Sequence, residues 1–202
     1  MNAAFAYWRP RERNRFNDAG FGAWYAAFEA QTAVAEVIDH IGRELERIRN
    51  WHAAVEWSEM WASFAGSYVD LRSVAPPPEC LHPDVEVGYP PGNTLARETR
   101  DAGHNGIVYP SVRAPGGTCL VALWPHAVQS VTQGAIVRTA WSGSRIIPSA
   151  RTPALAAGEC YAAMTAGEGQ KVAGEKPDRS AAKKATALAT SSSWRAAGSV
   201  CA

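Results

Sequence analysis

The sequence predicts a mixed α/β domain of the α+β kind. Three observations carry that reading: one long helical pattern near the N-terminus, aromatic and β-branched runs on both sides of it, and no regular alternation of strands with helices. Taken in order, FGAWYAAF (21–28) lies between a glycine-rich turn and a helix and reads as a short strand. EAQTAVAEVIDHIGRELERIRN (29–50) spaces Val34, Val37, Ile38, Ile41, Leu45 and Ile48 as one apolar stripe of a helix, with Glu36 on the opposite face. The stretch from Trp51 to Leu71 is aromatic-rich and includes a strand running into VDLR; its tryptophans are read as core or as a partner surface. SVAPPPECLHP is a loop, because its prolines fix the backbone and remove donors. NTLARETRDAG reads as a short helix with Asn93 as N-cap and Gly103 at its end. Three β-like runs follow, GIVYPSVR, TCLVALW and GAIVRTAW, with APGG turning the first two into a hairpin.

A chain of 202 residues is long enough for one domain with a real core and too short for two full-sized ones. Composition divides it at residue 144. Residues 1–143 are expected to form the folded, working domain of the chain; 144–202, rich in alanine, serine, glycine and lysine, are expected to be a disordered tail, since they bury too little to offset their ordering entropy. That tail holds 8 Lys+Arg against 4 Asp+Glu, leaving 12 and 15 of the chain's 20 and 19 in the body, so a mildly acidic domain carries a mildly basic extension. The formal net charge of +1 gives no bulk attraction to nucleic acid or membrane. Four scattered cysteines form no CxxC pair, and no HExxH spacing joins the histidines, so no metal site is expected. GxGxxG, GxxxxGK[ST] and GxSxG are also absent, which removes the Rossmann, P-loop and common hydrolase readings. With no apolar run of signal-peptide or membrane-spanning length, the expectation is a cytoplasmic protein.

RFNDAGFGAWYAAFEAQTAVAE (15–36) sets Arg15, Tyr25 and Glu36 one after another along a turn, a strand and a helix, and YPSVR (109–113) adds Ser111. At these residues the sequence resembles the RES-domain family, named for its arginine, glutamate and serine. The matching pieces are Arg15-Phe16-Asn17, Gly20, Tyr25, TAVAE with Glu36, and the block LARETRDAGHNGIVYPSVRAPGGTCLVALW; the final WSG at 141–143 is similar to where the family's last strand stops. The resemblance covers about residues 9–143. It departs from many members at Arg13-Asn14, where they carry paired glycines, and in the few residues that precede Arg15.

The resemblance implies a fold like that of ADP-ribosyltransferase toxins and a toxin of a toxin–antitoxin pair, one that breaks the nicotinamide–ribose bond of NAD. NAD would be a consumed substrate rather than a resident cofactor, with water, inorganic phosphate or a protein receiving the ADP-ribose. It also implies an antitoxin of the Xre-type helix-turn-helix class as partner, in a hetero-oligomer in which the toxin itself need not touch DNA. A protein-modifying ADP-ribosyltransferase and a catalytically silent antitoxin-binding protein are the alternatives.

The chemistry of that reaction suits the residues. Cleaving an N-glycosidic bond develops positive charge on the ribose carbon, which the carboxylate of Glu36 would stabilise. The guanidinium of Arg15 suits the pyrophosphate, and Tyr25 suits the flat nicotinamide ring, with its hydroxyl on a polar edge. Ser111 takes a positioning role, since nothing near it in sequence marks an activated nucleophile. Arg113 is divided between phosphate contact and a structural ion pair. By pattern alone, Glu36 reads as a solvated helix glutamate, Arg15 as a surface charge, Tyr25 as core and Ser111 as a turn serine.

Overall fold

The computed structural model describes residues 3–6, 13–143 and 183–190, the last of these as backbone. It is a mixed helix-and-sheet domain, as expected. A one-turn helix α1 (Ala3–Ala6) is followed by strand β1 (Trp24–Ala27) and helix α2 (Ala30–Arg47). Then come β2 (His52–Phe64), β3 (Tyr68–Asp70), a 3₁₀ turn at Glu79–Leu81, and helix α3 (Val85–Asp101). The hairpin β4 (Gly106–Pro110) and β5 (Thr118–Ala122) leads through a second 3₁₀ turn, Pro125–Ala127, into β6 (Val128–Ser142), and β7 is Lys183–Thr190. Among the described residues no helix is long and apolar enough to cross a membrane.

One seven-stranded sheet runs in the order β3-β4-β5-β1-β7-β2-β6. Only β3 and β4 are parallel; every other pair is antiparallel. The hairpin turn follows the sequence closely. Gly117 N–H donates to the Ala114 carbonyl at 2.9 Å across Pro115 and Gly116, and Gly116 takes φ +82°, the pattern of proline then glycine that a type II turn requires.

The hydrophobic residues divide by face. Ile107 and Tyr109 of β4, with Cys119 and Val121 of β5, point to one side with Phe16, Ala33 and Ala96; Val108 and Leu120 point to the other with Trp24 and Phe64. That is the period-2 alternation of strands buried on both faces. A third cluster joins Ile38, Ile41 and Leu45 of α2 to Trp57 of β2 and Trp141 of β6. Trp57 also donates its indole N–H to Thr139 Oγ1 at 2.9 Å, so this tryptophan is a core residue with a satisfied donor.

Three elements differ from expectation. α3 begins at Val85, not at Asn93, and its N-cap is Asp84, whose carboxylate accepts from Glu86 N–H at 2.9 Å. Pro90 and Pro91 lie inside this helix. The carbonyls they leave without an intrahelical donor belong to Glu86 and Val87, both exposed, where water can meet them. Its C-terminus is as expected: Gly103 takes φ +78°, His104 N–H reaches the Thr99 carbonyl and Gly103 N–H that of Arg100, a Schellman cap. β6 is longer than GAIVRTAW. It pairs with β2 from Ser142 back to Val128 through two register shifts. β7, Lys183–Thr190, is a strand that the composition of its segment does not announce; it enters the sheet between β1 and β2 with Trp57↔Thr190 and Phe64↔Lys183 in register. KKATALAT contains no glycine or proline and has two threonines that favour an extended strand, while its lysines and alanines do not. The remaining tail residues lie outside the described ones.

Candidate functional site

Helix α2 is amphipathic, and part of its polar face packs against the protein rather than standing in water. Glu36 lies on it opposite the stripe of Ile38, Ile41 and Leu45, as the spacing predicts, and there it is half-buried against the hairpin. Ser111 donates its hydroxyl hydrogen to Glu36 Oε1 at 2.7 Å, joining residues 75 apart in sequence. Cys119 Sγ donates to the same oxygen at 3.6 Å. Glu36 Oε2 has no hydrogen bond among the described residues, so one carboxylate oxygen is held and the other is left for a ligand.

Ser111 follows β4 and is fixed by its own turn. Its Oγ accepts from Arg113 N–H at 3.2 Å and Ala114 N–H at 2.9 Å, and its backbone N–H donates to the Gly117 carbonyl at 2.8 Å. Both acceptor positions of the hydroxyl are filled and its hydrogen is aimed at Glu36. An attacking oxygen needs an open lone pair, so the geometry suits Ser111 to orienting the carboxylate rather than to nucleophilic attack.

Arg15 sits in a tight turn closed by Asn14 N–H to the Asn17 carbonyl at 2.9 Å. None of residues 13–18 adopts a left-handed φ, so the turn does without the paired glycines. The Arg15 side chain is buried, and its NH1 donates to the carbonyls of Cys80 at 2.5 Å and His82 at 3.0 Å, tying down the loop before α3. α3 packs closely over this turn because it presents glycine. A Cβ at Gly92 would lie 2.1 Å from the Arg15 carbonyl oxygen, and one at Gly88 would lie 2.9 Å from Arg15 NH1. Asn93, expected as an N-cap, is instead a buried clamp whose amide donates to the carbonyls of Asn14 and Tyr89, each at 2.8 Å. Arg97 of α3 pairs with Asp18 at the other end of the turn.

Tyr25 projects from β1 into the same turn. Its hydroxyl accepts from Phe16 N–H and donates to Asn17 Oδ1, both at 2.9 Å. The hydroxyl therefore serves the Arg15 segment, while the residue as a whole stays partly exposed. Burial holds this phenol neutral, far above its ordinary range.

Tyr109, unassigned in the sequence reading, is the common neighbour of these groups. It is buried, packs edge-on against Phe16 at 4.8 Å between ring centroids, and lies within electrostatic reach of Cys119, Glu36, Tyr25 and Arg15. Burial raises its pKa well above the ordinary 10.0, and the nearby Cys119 and Glu36 raise it further. Burial likewise pushes the Cys119 thiol up, with Glu36 adding to the effect, so both remain uncharged donors beside the carboxylate.

The polar face of α2 continues past Glu36. Asp39 Oδ2 lies 3.0 Å from Arg113 Nε and 3.3 Å from Arg43 Nε, so Arg113 is in an ion pair. Arg43 NH1 donates to Tyr89 Oη at 3.0 Å, and the Tyr89 ring lies under two guanidiniums, 5.4 Å from Arg15 and 5.9 Å from Arg43. A chain of contacts thus runs Glu36–Ser111–Arg113–Asp39–Arg43–Tyr89–Arg15 and returns through Tyr25 and Tyr109. Asp39 and Arg43 were missed because each reads alone as a solvated helix charge. Their spacing of three and seven residues from Glu36 was the available signal, since it puts all three on one face.

No curated protein matches the chain. The RES domain family model matches residues 1–142, spanning the turn, both strands of the hairpin and the two helices, α2 and α3, that build this site. Over that length, which is most of the sequence, the chain belongs to the RES domain family.

Proposed function

We propose that this chain is the toxin of a toxin–antitoxin pair and that it cleaves the nicotinamide–ribose bond of NAD. The observation that carries the reading is the Ser111–Glu36 hydrogen bond at 2.7 Å, which holds one carboxylate oxygen and leaves the other open. The bond to nicotinamide breaks with its electron pair leaving on the ring nitrogen, and the ribose carbon takes on positive charge. Glu36 Oε2 stabilises that charge and orients the incoming water or phosphate; a preorganised group of this kind is worth about a hundred- to a thousandfold in rate. Tyr25 offers its ring face to the nicotinamide, since its hydroxyl is engaged with Phe16 and Asn17. Arg15, with NH1 spent on the loop carbonyls, keeps its remaining nitrogens for substrate oxygen atoms. An Xre-type antitoxin is the proposed partner, and the cytoplasm the proposed place of action.

The experiment is nicotinamide release from NAD by the full chain, with and without inorganic phosphate, beside Glu36→Gln. Release by the wild type and its loss of at least about a hundredfold in the variant are expected. Phosphate dependence would name phosphate as the acceptor. NAD left intact by folded wild type would count against the reading, and labelled ADP-ribose on a protein would redirect it to protein modification.

A further inference from the structure

The C-terminal half of α2's polar face carries more positive charge than a structural network needs. Three guanidiniums, those of Arg15, Arg43 and Arg113, converge there on one carboxylate, Asp39, and on the neutral Tyr89. Among the described residues Arg15 is met by backbone carbonyls and the Tyr89 ring, and Asp39 balances one of the other two. Arg43 and Arg113 thus leave one positive charge, and Arg15 beside them adds a second. The side chains are accessible: 33% exposed for Arg43, 19% for Arg113 and 32% for Asp39. Arg43 Nε is buried without a hydrogen bond although Asp39 lies within ion-pair distance, so a ligand would meet the terminal nitrogens of this guanidinium. A network serving stability alone would satisfy that donor and balance its charge.

We propose that Arg43 and Arg113, splayed by Asp39 and Tyr89, form a binding site for a diphosphate group. The ligand class follows from the charge. A dinucleotide's diphosphate bears two negative charges, and planar guanidiniums bind such oxygens with paired, charge-assisted hydrogen bonds. Placement agrees, because Arg43 is two helical turns beyond Glu36, roughly 10 Å along the axis at 1.5 Å per residue, a separation that with the reach of both side chains can span the ribose between the reacting carbon and the phosphates. The site differs from the phosphate role expected of Arg15, whose NH1 is committed to Cys80 and His82. The identification of the ligand as NAD's diphosphate rests on the proposed NAD reaction; the diphosphate site itself does not.

Calorimetric binding of inorganic pyrophosphate to the full chain separates the two. Wild type is expected to bind it, Arg43→Gln and Arg113→Gln to bind at least about tenfold more weakly, as for the loss of a charged hydrogen bond, and Arg47→Gln, an exposed arginine on the same helix, to match wild type. Equal affinity in wild type and Arg43→Gln, both with unchanged thermal unfolding, would overturn the proposal. So would an equal loss in Arg47→Gln, which would mean general surface charge. Pyrophosphate binding that depends on Arg43, in a protein that leaves NAD intact, would keep this site and sink the NAD reading. NAD cleavage with an unchanged KM in Arg43→Gln, together with unchanged pyrophosphate affinity, would do the reverse.

Discussion

The two faces of α2 do different work, although a helical wheel describes both with one pattern. On one side, Ile38, Ile41 and Leu45 close on Trp57 and Trp141 of the β2–β6 ribbon, a wholly apolar contact. On the other, Glu36, Asp39 and Arg43 meet Ser111, Arg113 and Tyr89, each through a named polar bond. The first face fixes where the helix lies and the second meets the hairpin turn and α3. The lesson is that a polar stripe on an amphipathic helix is a statement about chemistry, not about exposure.

If that division is right, the faces should fail separately. Leu45 is 2% exposed, and Leu45→Ala should cost about 3 kcal/mol through lost transfer energy and the cavity left behind. Urea unfolding would read that loss, while NAD turnover per folded molecule should stay near wild type. A turnover loss matching that of Glu36→Gln would break the comparison.

Gly92→Ala sharpens it from a distance. The new Cβ would lie 2.1 Å from the Arg15 carbonyl oxygen, so the turn or the helix must shift, at about 1–3 kcal/mol for overpacking. Because the shift falls on the turn that holds Arg15, Phe16 and Asn17, a rise in KM for NAD should accompany the lower stability. A variant that loses stability with unchanged kinetics would show that the turn does not position the site.

The smallest effect concerns pH. Tyr25, Tyr109 and Cys119 lie on the cleft side with raised pKa values, and Tyr68 of the hydrophobic cluster beyond the sheet is pushed up to about 12. An acid whose folded pKa is raised binds its proton more tightly in the folded state, so the unfolded chain releases protons first as pH rises. Stability from these groups is therefore full below about pH 7.5, where an unfolded thiol begins to titrate, and falls as pH climbs through the unfolded values towards the folded ones. Tyr109→Phe should flatten the decline in urea midpoints between neutral pH and pH 10.5. An unchanged slope would mean that Tyr109 is less enclosed than its contacts with Phe16 indicate.

Much of this was legible in sequence where local chemistry and tertiary structure agree. β1, α2, the β4–β5 hairpin and the Gly103 stop all follow from periodicity or from a residue required by backbone geometry. α3 starts eight residues before the expected Asn93 cap, and the exposed carbonyls behind Pro90-Pro91, which no local pattern reveals, explain how the helix runs through them. The first half of β6 was missed because VQSVTQ is exposed at most positions and gives no alternation to detect. In the site, Glu36 and Ser111 were found through the family resemblance, since pattern alone favoured a solvated glutamate and a turn serine. Tyr89, Asp39 and Arg43 needed coordinates, because what distinguishes them is convergence from α2, α3 and the hairpin turn.

The most direct test measures turnover and affinity together in Glu36→Gln. The account predicts that the folded variant binds NAD about as tightly as wild type, through Tyr25 and the arginines, while nicotinamide release falls at least about a hundredfold. Release at the wild-type rate in that variant would contradict the claim that the buried polar face of α2 is where NAD is cleaved.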